Sequence, residues 1–390
     1  MEATNNLKFN LYLMHKQHLL PDSQSYNIVQ VADDLCGLHA TIPTTPYLSL
    51  FVRMHSFRKA DLKYEIEIKK SLVRTRSIRS TIHLLPVEKS PQIFTATRSQ
   101  QNRRSEKYLM HLGMTPDEFN SSAEKILIVL AGKGLTANEI KKETGIPKNT
   151  SQVINILCDE GTIVRGAIHG SWKSNIHSYH RFEDFFENSD IRPIPAGEAM
   201  ESLLMSYIRT YGPVTPEDII WWSGINRSEV KNILLKNRAK FQEVNSPEGI
   251  DAGLMLKEDY KAFQKFLPPE EVFINFLPSL DPYIMGYKDR DRFIDKSHLD
   301  YIYDRFGNSV PTIISNGRIM GIWDLDEGDK RIKFFLFEKV DDFIYEKIIE
   351  NGLKTSRFYC ETDTDILEIR EVTPVKELTV GSFMSPLKNA

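Results

Sequence analysis

The sequence has few of the features that mark secreted, membrane or metal-binding proteins. Its three cysteines, Cys36, Cys158 and Cys360, lie far apart and form no CxxC pair. A disulfide framework needs an even number of cysteines and a zinc ribbon needs paired ones, so neither is indicated. The first residues carry no basic segment, and no apolar run approaches the roughly 20 residues that span a bilayer. We therefore expect a cytoplasmic protein with no metal, no cofactor and no membrane association.

Net positive charge is also lacking, since the formal net charge is -3 at pH 7. The charge is nevertheless unevenly distributed along the chain. Residues 53–107 contain fourteen Lys or Arg and five Asp or Glu, a local charge of +9, so the rest of the chain carries -12. Because attraction to phosphate is screened within about 10 Å, a local basic face matters more than the total. The split favours a protein with one basic face for nucleic acid, and a solvated lysine-rich helix is the alternative.

Three short helices followed by a β-hairpin are predicted between residues 119 and 190. A capping pattern at Ser121 predicts the first helix, a Thr136–Glu139 pattern predicts the second, and the third ends at Gly161. Residues 162–167 and 172–182 are predicted as the strands of the hairpin. Three helices of this length before a hairpin are typical of a winged helix, whose third helix can enter the major groove of DNA.

The same order recurs between residues 191 and 268. A helix is predicted over residues 198–211, Thr215-Pro216 supplies an N-cap and a first-turn proline for the next, and a third helix spans 227–237. Strands are predicted within residues 241–256, with Pro247-Glu248-Gly249 as the turn. We therefore predict a second winged helix at 119–190 and a third at 191–268.

The two ends of the chain differ in character. Residues 1–118 are predicted to form a larger winged helix, with helices over 7–20, 26–36, 45–54 and 61–72 and a strand over 74–85. Residues 269–390 are predicted to be β-rich, with strands over 273–277, 310–315, 318–325 and 330–337 and a closing helix over 341–351. Asn316-Gly317 is a strong hairpin signal between two of these strands. The predicted fold class is mainly α with β (α+β).

Five segments carry a family resemblance, in this order along most of the chain: Asp34 to Ala40, Arg79 to Pro86, Tyr211 to Gly224, Asp281 to Arg290 and Gly317 to Trp323. They resemble the AlkZ/YcaQ-like family of winged-helix DNA glycosylases. The resemblance implies three tandem winged helices in a concave arrangement plus the β-rich C-terminal domain. It also implies a protein that binds double-stranded DNA and hydrolyses the N-glycosidic bond of alkylated purines. We expect this protein to be a nucleoid-associated monomer.

In characterised relatives the glycosylase signature is Gln-apolar-Gln, just after the glycine that corresponds to Gly37. This chain has His39-Ala40-Thr41 there. A two-residue spacing in an extended segment puts both side chains on one side, so we expect His39 and Thr41 to face one pocket.

An alkylated purine is already positively charged and needs little acid catalysis to leave. His39, with an ordinary pKa near 6.5, is the candidate base or orienting group for the attacking water, and Thr41 is the candidate second contact to that water. Two alternatives remain open. His39 packs as a structural residue against the turn between Pro43 and Pro46, or the protein is a catalytically inactive DNA-binding or transcription-regulating protein.

Basic side chains near the predicted wings are the candidate contacts to DNA phosphates. They are Lys69, Lys70, Arg74, Arg76, Arg79 and His83 in the first unit, Arg165, His169 and Lys173 in the second, and Arg290 in the C-terminal domain. The alternative is that the arginines pair with carboxylates of their own wing. Trp221-Trp222 is predicted to pack in the core. His177 and His180 are predicted to point to opposite faces of a strand, so no metal site is expected there.

Overall fold

The structure is a computed structural model that describes residues 2–187, 194–244, 253–326, 328, 330–362 and 364–378, with side chains from residue 7 onward. Helices and small antiparallel sheets alternate along the chain. The predicted α+β class is confirmed. None of the described helices is long and apolar enough to cross a bilayer.

The N-terminal part contains α1 (Glu2–Lys16), α2 (Ile28–Asp34), β1 (Leu38–His39), α3 (Thr45–Phe51), α4 (Lys59–Glu67), β2 (Leu72–Arg76), β3 (Ile82–Pro86) and α5 (Ser90–His111). The single strand predicted over 74–85 is wrong. Arg79 and Ser80 adopt left-handed backbone angles, with φ of 49° and 58°, and this turn divides the segment into β2 and β3. Helix α5 was not predicted, because its polar residues show little amphipathic periodicity.

The next part contains α6 (Pro116–Val129), β4 (Leu135–Thr136), α7 (Ala137–Thr144), α8 (Thr150–Asp159), β5 (Ile163–Ile168), β6 (His177–Arg181) and α9 (Phe182–Phe185). The capping box at Thr136 and Glu139 is confirmed. The predicted start of the first helix at Ser121 is wrong, because Thr115 caps α6 through a capping box with Glu118. Three helices and a hairpin follow one another as expected.

A second group of three helices follows: α10 (Ala196–Tyr211), α11 (Pro216–Ser223) and α12 (Arg227–Lys236), then β7 (Phe241–Val244), β8 (Gly253–Leu256) and α13 (Lys257–Lys265). Thr215 caps α11 as predicted, and Gly224, with φ of 65°, ends it. The turn predicted at Pro247-Glu248-Gly249 lies outside the described residues.

The last part contains β9 (Ile274–Leu277), α14 (Pro282–Met285), α15 (Leu299–Ile302), β10 (Thr312–Ser315), β11 (Arg318–Asp326), β12 (Arg331–Leu336), α16 (Asp342–Cys360) and β13 (Ile366–Glu368). The strands form one sheet in the order β13-β12-β11-β10-β9. The hairpin at Asn316-Gly317 is confirmed, with φ of 45° and 84°. Helix α16 is longer than predicted and packs on this sheet through Ile348.

One six-stranded sheet joins the first two parts of the chain, in the order β1-β3-β2-β5-β6-β4. Strands β2 and β5 meet at a single antiparallel pair, Arg74 and Arg165. Two residues predicted to lie on separate wings therefore face each other at an internal seam.

A fully buried ion pair connects the N-terminal part to α14. The Arg53 guanidinium donates to both carboxylate oxygens of Asp281, at 2.8 and 2.6 Å, and both side chains are 0% exposed. Asp281 also accepts a hydrogen bond from the Tyr283 backbone N–H at the start of α14. Because a buried carboxylate that loses its cation is strongly destabilising, this pair holds α14 in place beside β1.

Candidate active site

Strands β1 and β3 place two imidazoles side by side. His39 and His83 are direct partners in the antiparallel ladder. Their ring centroids are 5.1 Å apart, with the planes at 65°. The two residues are only 7% and 9% exposed. Cross-strand pairing thus brings together a residue predicted as catalytic and one predicted as a DNA contact.

The turn before His39 requires glycine. Gly37 has φ of 109°, and a Cβ atom there would lie 2.5 Å from Leu85 Cδ2. L-residues other than glycine rarely adopt this backbone conformation. Gly37 therefore lets the end of α2 approach β3 closely enough for the two histidines to pair.

Hydrogen bonds define the protonation of His83. Its Nδ1 lies 3.2 Å from the Thr81 carbonyl oxygen and 3.0 Å from Ser77 Oγ. A carbonyl can only accept, so Nδ1 carries the proton and donates it, which leaves the Nε2 lone pair free. The Ser77 carbonyl in turn accepts from Gln101 Nε2 at 2.8 Å. Helix α5 thereby fixes the residue that orients His83.

The neighbouring His39 has the opposite arrangement. Its Nδ1 accepts a long hydrogen bond of 3.5 Å from the Thr41 backbone N–H. A neutral imidazole that accepts at Nδ1 carries its proton on Nε2. The pair therefore offers one N–H donor, from His39, and one nitrogen acceptor, from His83.

Both imidazoles are neutral at physiological pH. Burial lowers the pKa of His83 to about 4, with the charge of Arg79 adding to the effect. Burial, His83 and Arg79 hold the pKa of His39 well below its usual value of 6.5. Neither ring competes with the other for a proton under these conditions.

A small cavity lies against the two histidines. We call it the two-histidine cavity; its volume is about 20 Å³, and its lining includes His39, Arg79, Thr81, His83, Tyr211, Trp222 and Met285. A cavity of this size holds about one water molecule and is too small for a purine. The lining comes from β1, the β2–β3 turn, α10, α11 and α14, so only the assembled fold creates it.

Thr41 does not line this cavity. Its side chain is exposed, and its Oγ1 accepts from the Ile82 backbone N–H at 3.3 Å. The expectation that His39 and Thr41 face one pocket is therefore wrong for Thr41, because β1 ends at His39 and the alternation of side chains stops there. The backbone of Thr41, through its bond to His39, is what touches the site.

Three of the arginines predicted to contact phosphates already have hydrogen-bond or ion-pair partners within the protein. Arg74 is 4% exposed and donates to the Ala40 carbonyl oxygen, and Arg165 is 5% exposed and donates to Asn155 Oδ1 at 2.8 Å. Arg76 Nε binds Asp159 at 2.9 Å. The prediction that these arginines are exposed on a wing is wrong. The pairing of β2 with β5 buries Arg74 and Arg165, and Asp159 neutralises Arg76.

Of the other predicted contacts, Lys69, Lys70, His169 and Lys173 lie nearer the surface, whereas the expectation for His83 is wrong because its ring is buried against His39. Lys69 and His169 are exposed, with Lys69 paired to Glu65 at 3.1 Å. Lys70 lies 4.6 Å from the ring centroid of Phe185. Lys173 lies 4.1 Å from the Tyr359 ring, so the loop of the second hairpin rests on α16.

Two arginines meet over Trp221 beside the two-histidine cavity. The Arg79 guanidinium lies 3.8 Å from the indole centroid, and that of Arg290 lies 5.6 Å from it. The core-packing prediction is confirmed for Trp222, which is buried and stacks on Tyr207 at 4.4 Å. Trp221 is half-buried, packs against the same core and lies beside the two cations.

Sequence reasoning missed two parts of the site. Trp221 was assigned to the core with its neighbour, and the pairing of His83 with His39 was not foreseen. The hairpin pattern of β2 and β3 was the available signal for the second, but the turn was hidden because Arg79 and Ser80 are not residues typical of a left-handed turn.

The site lies within a region shared with known proteins. The family described as DNA glycosylase AlkZ-like matches residues 32–336. The chain is similar to "Interstrand DNA cross-link repair glycosylase" of Streptomyces sahachiroi, with 22% identity over 331 residues, covering 80% of this chain and 85% of the relative.

The fold is similar to a solved structure, "Streptomyces sahachiroi DNA glycosylase AlkZ". The TM-score is 0.77 at 18% identity, covering 93% of this chain and 99% of that chain. This likeness shows a shared fold, and the family match covers most of the sequence. The resemblance predicted from five segments is confirmed, and the chain belongs to the DNA glycosylase AlkZ-like family.

Proposed function

We propose that this protein is a DNA glycosylase that hydrolyses the N-glycosidic bond of alkylated purines in duplex DNA. The observation that carries the proposal is the pair of neutral histidines, one donor and one acceptor, against a cavity that fits one water molecule. This pair lies within the residues that match a family of DNA glycosylases. The relative named for cross-link repair supports alkylated DNA as the substrate class.

In this proposal the two histidines divide the work on the water. His39 Nε2–H donates to the water oxygen and orients it, while His83 Nε2 accepts the proton as the oxygen attacks C1′ of the sugar. The bond from C1′ to the purine nitrogen breaks, and its electron pair neutralises the cationic purine. A base with a lowered pKa takes up the proton only once positive charge has developed at C1′ and made the water acidic.

The size of the cavity indicates how the damaged base is selected. A purine does not fit beside His39 and His83, so the nucleotide stays at the mouth and only the water lies inside. Selection then rests on how readily the base leaves rather than on its shape. We therefore propose that large N7 substituents are accepted as well as small ones.

The wider architecture is proposed on the order of the elements. Units at 1–118, 119–190 and 191–268 each place helices before a strand pair, which supports three winged helices with α8 and α12 as candidate groove-facing helices. Residues 269–390 form the proposed C-terminal domain. We propose a monomer that acts in the cytoplasm on nucleoid DNA, with exposed side chains such as Lys69 and His169 contacting phosphates.

The experiment measures abasic sites in duplex DNA that contains N7-alkylguanine. We expect release by the wild type, and a loss of about 10²–10⁴-fold in His83→Ala and in His39→Ala. Because the two histidines act on one water, the double variant should be hardly slower than either single one. His55→Ala is the matched control, since His55 stacks on Tyr26 away from the cavity. Absence of release by the wild type, or equal release by all variants, would contradict the proposal.

A further inference from the structure

Arg79 is a largely buried cation, and the residues that the structure describes give it no counter-charge. It forms no hydrogen bond or ion pair with any residue that the structure describes, and its Nε is buried and unsatisfied. Burial, and to a lesser extent the positive charge of Arg290, lowers the pKa of Arg79 to about 10. An arginine normally satisfies five N–H donors, so one left with only an indole face has donors available for a ligand.

The fold holds Arg79 in this position at a cost. Arg79 and the following Ser80 both have positive φ, a conformation that is strained for residues other than glycine. Gln101 of α5 binds the turn at Ser77, and the adjacent Gln100 donates to the Ser223 carbonyl at 2.9 Å at the end of α11. Neighbouring glutamines on one helix therefore fix Arg79 and Trp221 relative to each other.

Arg290 lies beside the same indole, with its Cζ 5.6 Å from the ring centroid. Its Cζ lies 3.5 Å from the Tyr303 ring centroid, and its Nη2 donates to the Gly307 carbonyl at 2.9 Å. Its Nε is also buried and unsatisfied. The nearby Asp304 carboxylate is occupied by the backbone N–H groups of Phe306 and Asn308 rather than by Arg290.

We propose that Arg79 and Arg290 together hold one backbone phosphate of DNA over Trp221, next to the nucleotide whose C1′ faces the two-histidine cavity. Two like charges beside one indole repel each other, and a phosphate bound by both removes the repulsion and satisfies the free donors. Guanidinium groups suit this role because their forked donors match phosphate oxygens. The clamp rests on the proposed function for the identity of the nucleotide, but it concerns binding and not bond cleavage.

The test measures binding to a duplex with an uncleavable abasic analogue, by fluorescence anisotropy between 50 and 200 mM salt, the range over which phosphate contacts are lost. We expect Arg79→Gln to weaken binding by about tenfold. The slope of log affinity against log salt should fall by about 1. Arg209→Gln is the matched control, because it removes the same charge from an exposed pair with Glu258.

A second arm changes the DNA as well as the protein. Each phosphate flanking the lesion is replaced in turn by an uncharged methylphosphonate, and the wild type is compared with Arg79→Gln and Arg290→Gln. At one position, the same for both arginines, the wild type should lose more affinity than either variant, because each variant retains one of the two contacts to that phosphate. The three proteins should then bind about equally. Independent, additive losses at every position, or coupling of the two arginines to different phosphates, would overturn the clamp.

The two proposals fail separately. Base release from N7-alkylguanine without any coupled phosphate removes the clamp and keeps the glycosylase. Coupling at one phosphate without base release keeps the clamp and removes the glycosylase.

Discussion

Arg76 and Arg79 lie three residues apart in the sequence and meet opposite surroundings. Arg76 shares Asp159 with Arg104, whose Nη1 binds the same carboxylate at 2.6 Å. Arg79 lies in a turn with positive φ, and its guanidinium packs against the Trp221 ring. No described carboxylate pairs with it. A buried cation that has its carboxylate belongs to the fold, whereas one held without a carboxylate beside a cavity is a candidate for binding an anion.

The largest expected effect concerns the paired cluster. Asp159→Asn leaves Arg76 and Arg104 without their shared charge, so the free energy of unfolding should fall by about 3–5 kcal/mol. Urea denaturation measures this. Glu350→Gln is the control, because its pair with Lys354 is more than half exposed and should contribute less than about 1 kcal/mol. Equal losses in the two variants would remove the distinction between structural and ligand-binding arginines.

An intermediate effect concerns the neutral histidines beside Arg79. The pKa of His83 is lowered to about 4, below the 6.5 of an exposed histidine, so the unfolded chain binds the proton first. The contribution of His83 to stability is therefore complete above pH 6.5 and is lost as the pH falls towards 4. The slope reaches about 1.4 kcal/mol per pH unit. His83→Gln should show a flatter pH dependence in urea denaturation, and an unchanged one would contradict the assignment.

The smallest expected effect distinguishes Arg74, which is buried between β2 and β5, from Arg79, which lies beside the two-histidine cavity. Arg74→Met leaves the Ala40 carbonyl without its donor, which costs about 1–3 kcal/mol, and loss of the repulsion with Arg165 offsets part of this. The salt dependence of DNA binding should not change, because the guanidinium is buried. Fluorescence anisotropy titrations of DNA with Arg74→Met and with Arg79→Gln, at the same salt concentrations, make the comparison. A fall in the slope of about 1 in Arg74→Met would show that Arg74 reaches a phosphate.

Local signals predicted the helices well and the site only in part. The caps at Thr136 and Thr215 were found from sequence because a capping box is satisfied within four consecutive residues. The same rule holds at Thr115 and Glu118, where α6 begins, and not at Ser121. His39 was identified as a site residue through the family resemblance, whereas the pairing of His83 with it depends on a ladder between strands about 40 residues apart.

The chain alone determined its mixed class, most of its helices, its hairpin at Asn316-Gly317 and its family, because those properties reside in short-range patterns and in residue identity. The tertiary structure decided which cations are free. Whether Arg74, Arg76 or Arg79 has a partner depends on Ala40, Asp159 and Trp221, which lie far away in sequence. Burial and counter-charge are properties of the assembled surroundings, so no count of basic residues along the chain could distinguish these three arginines.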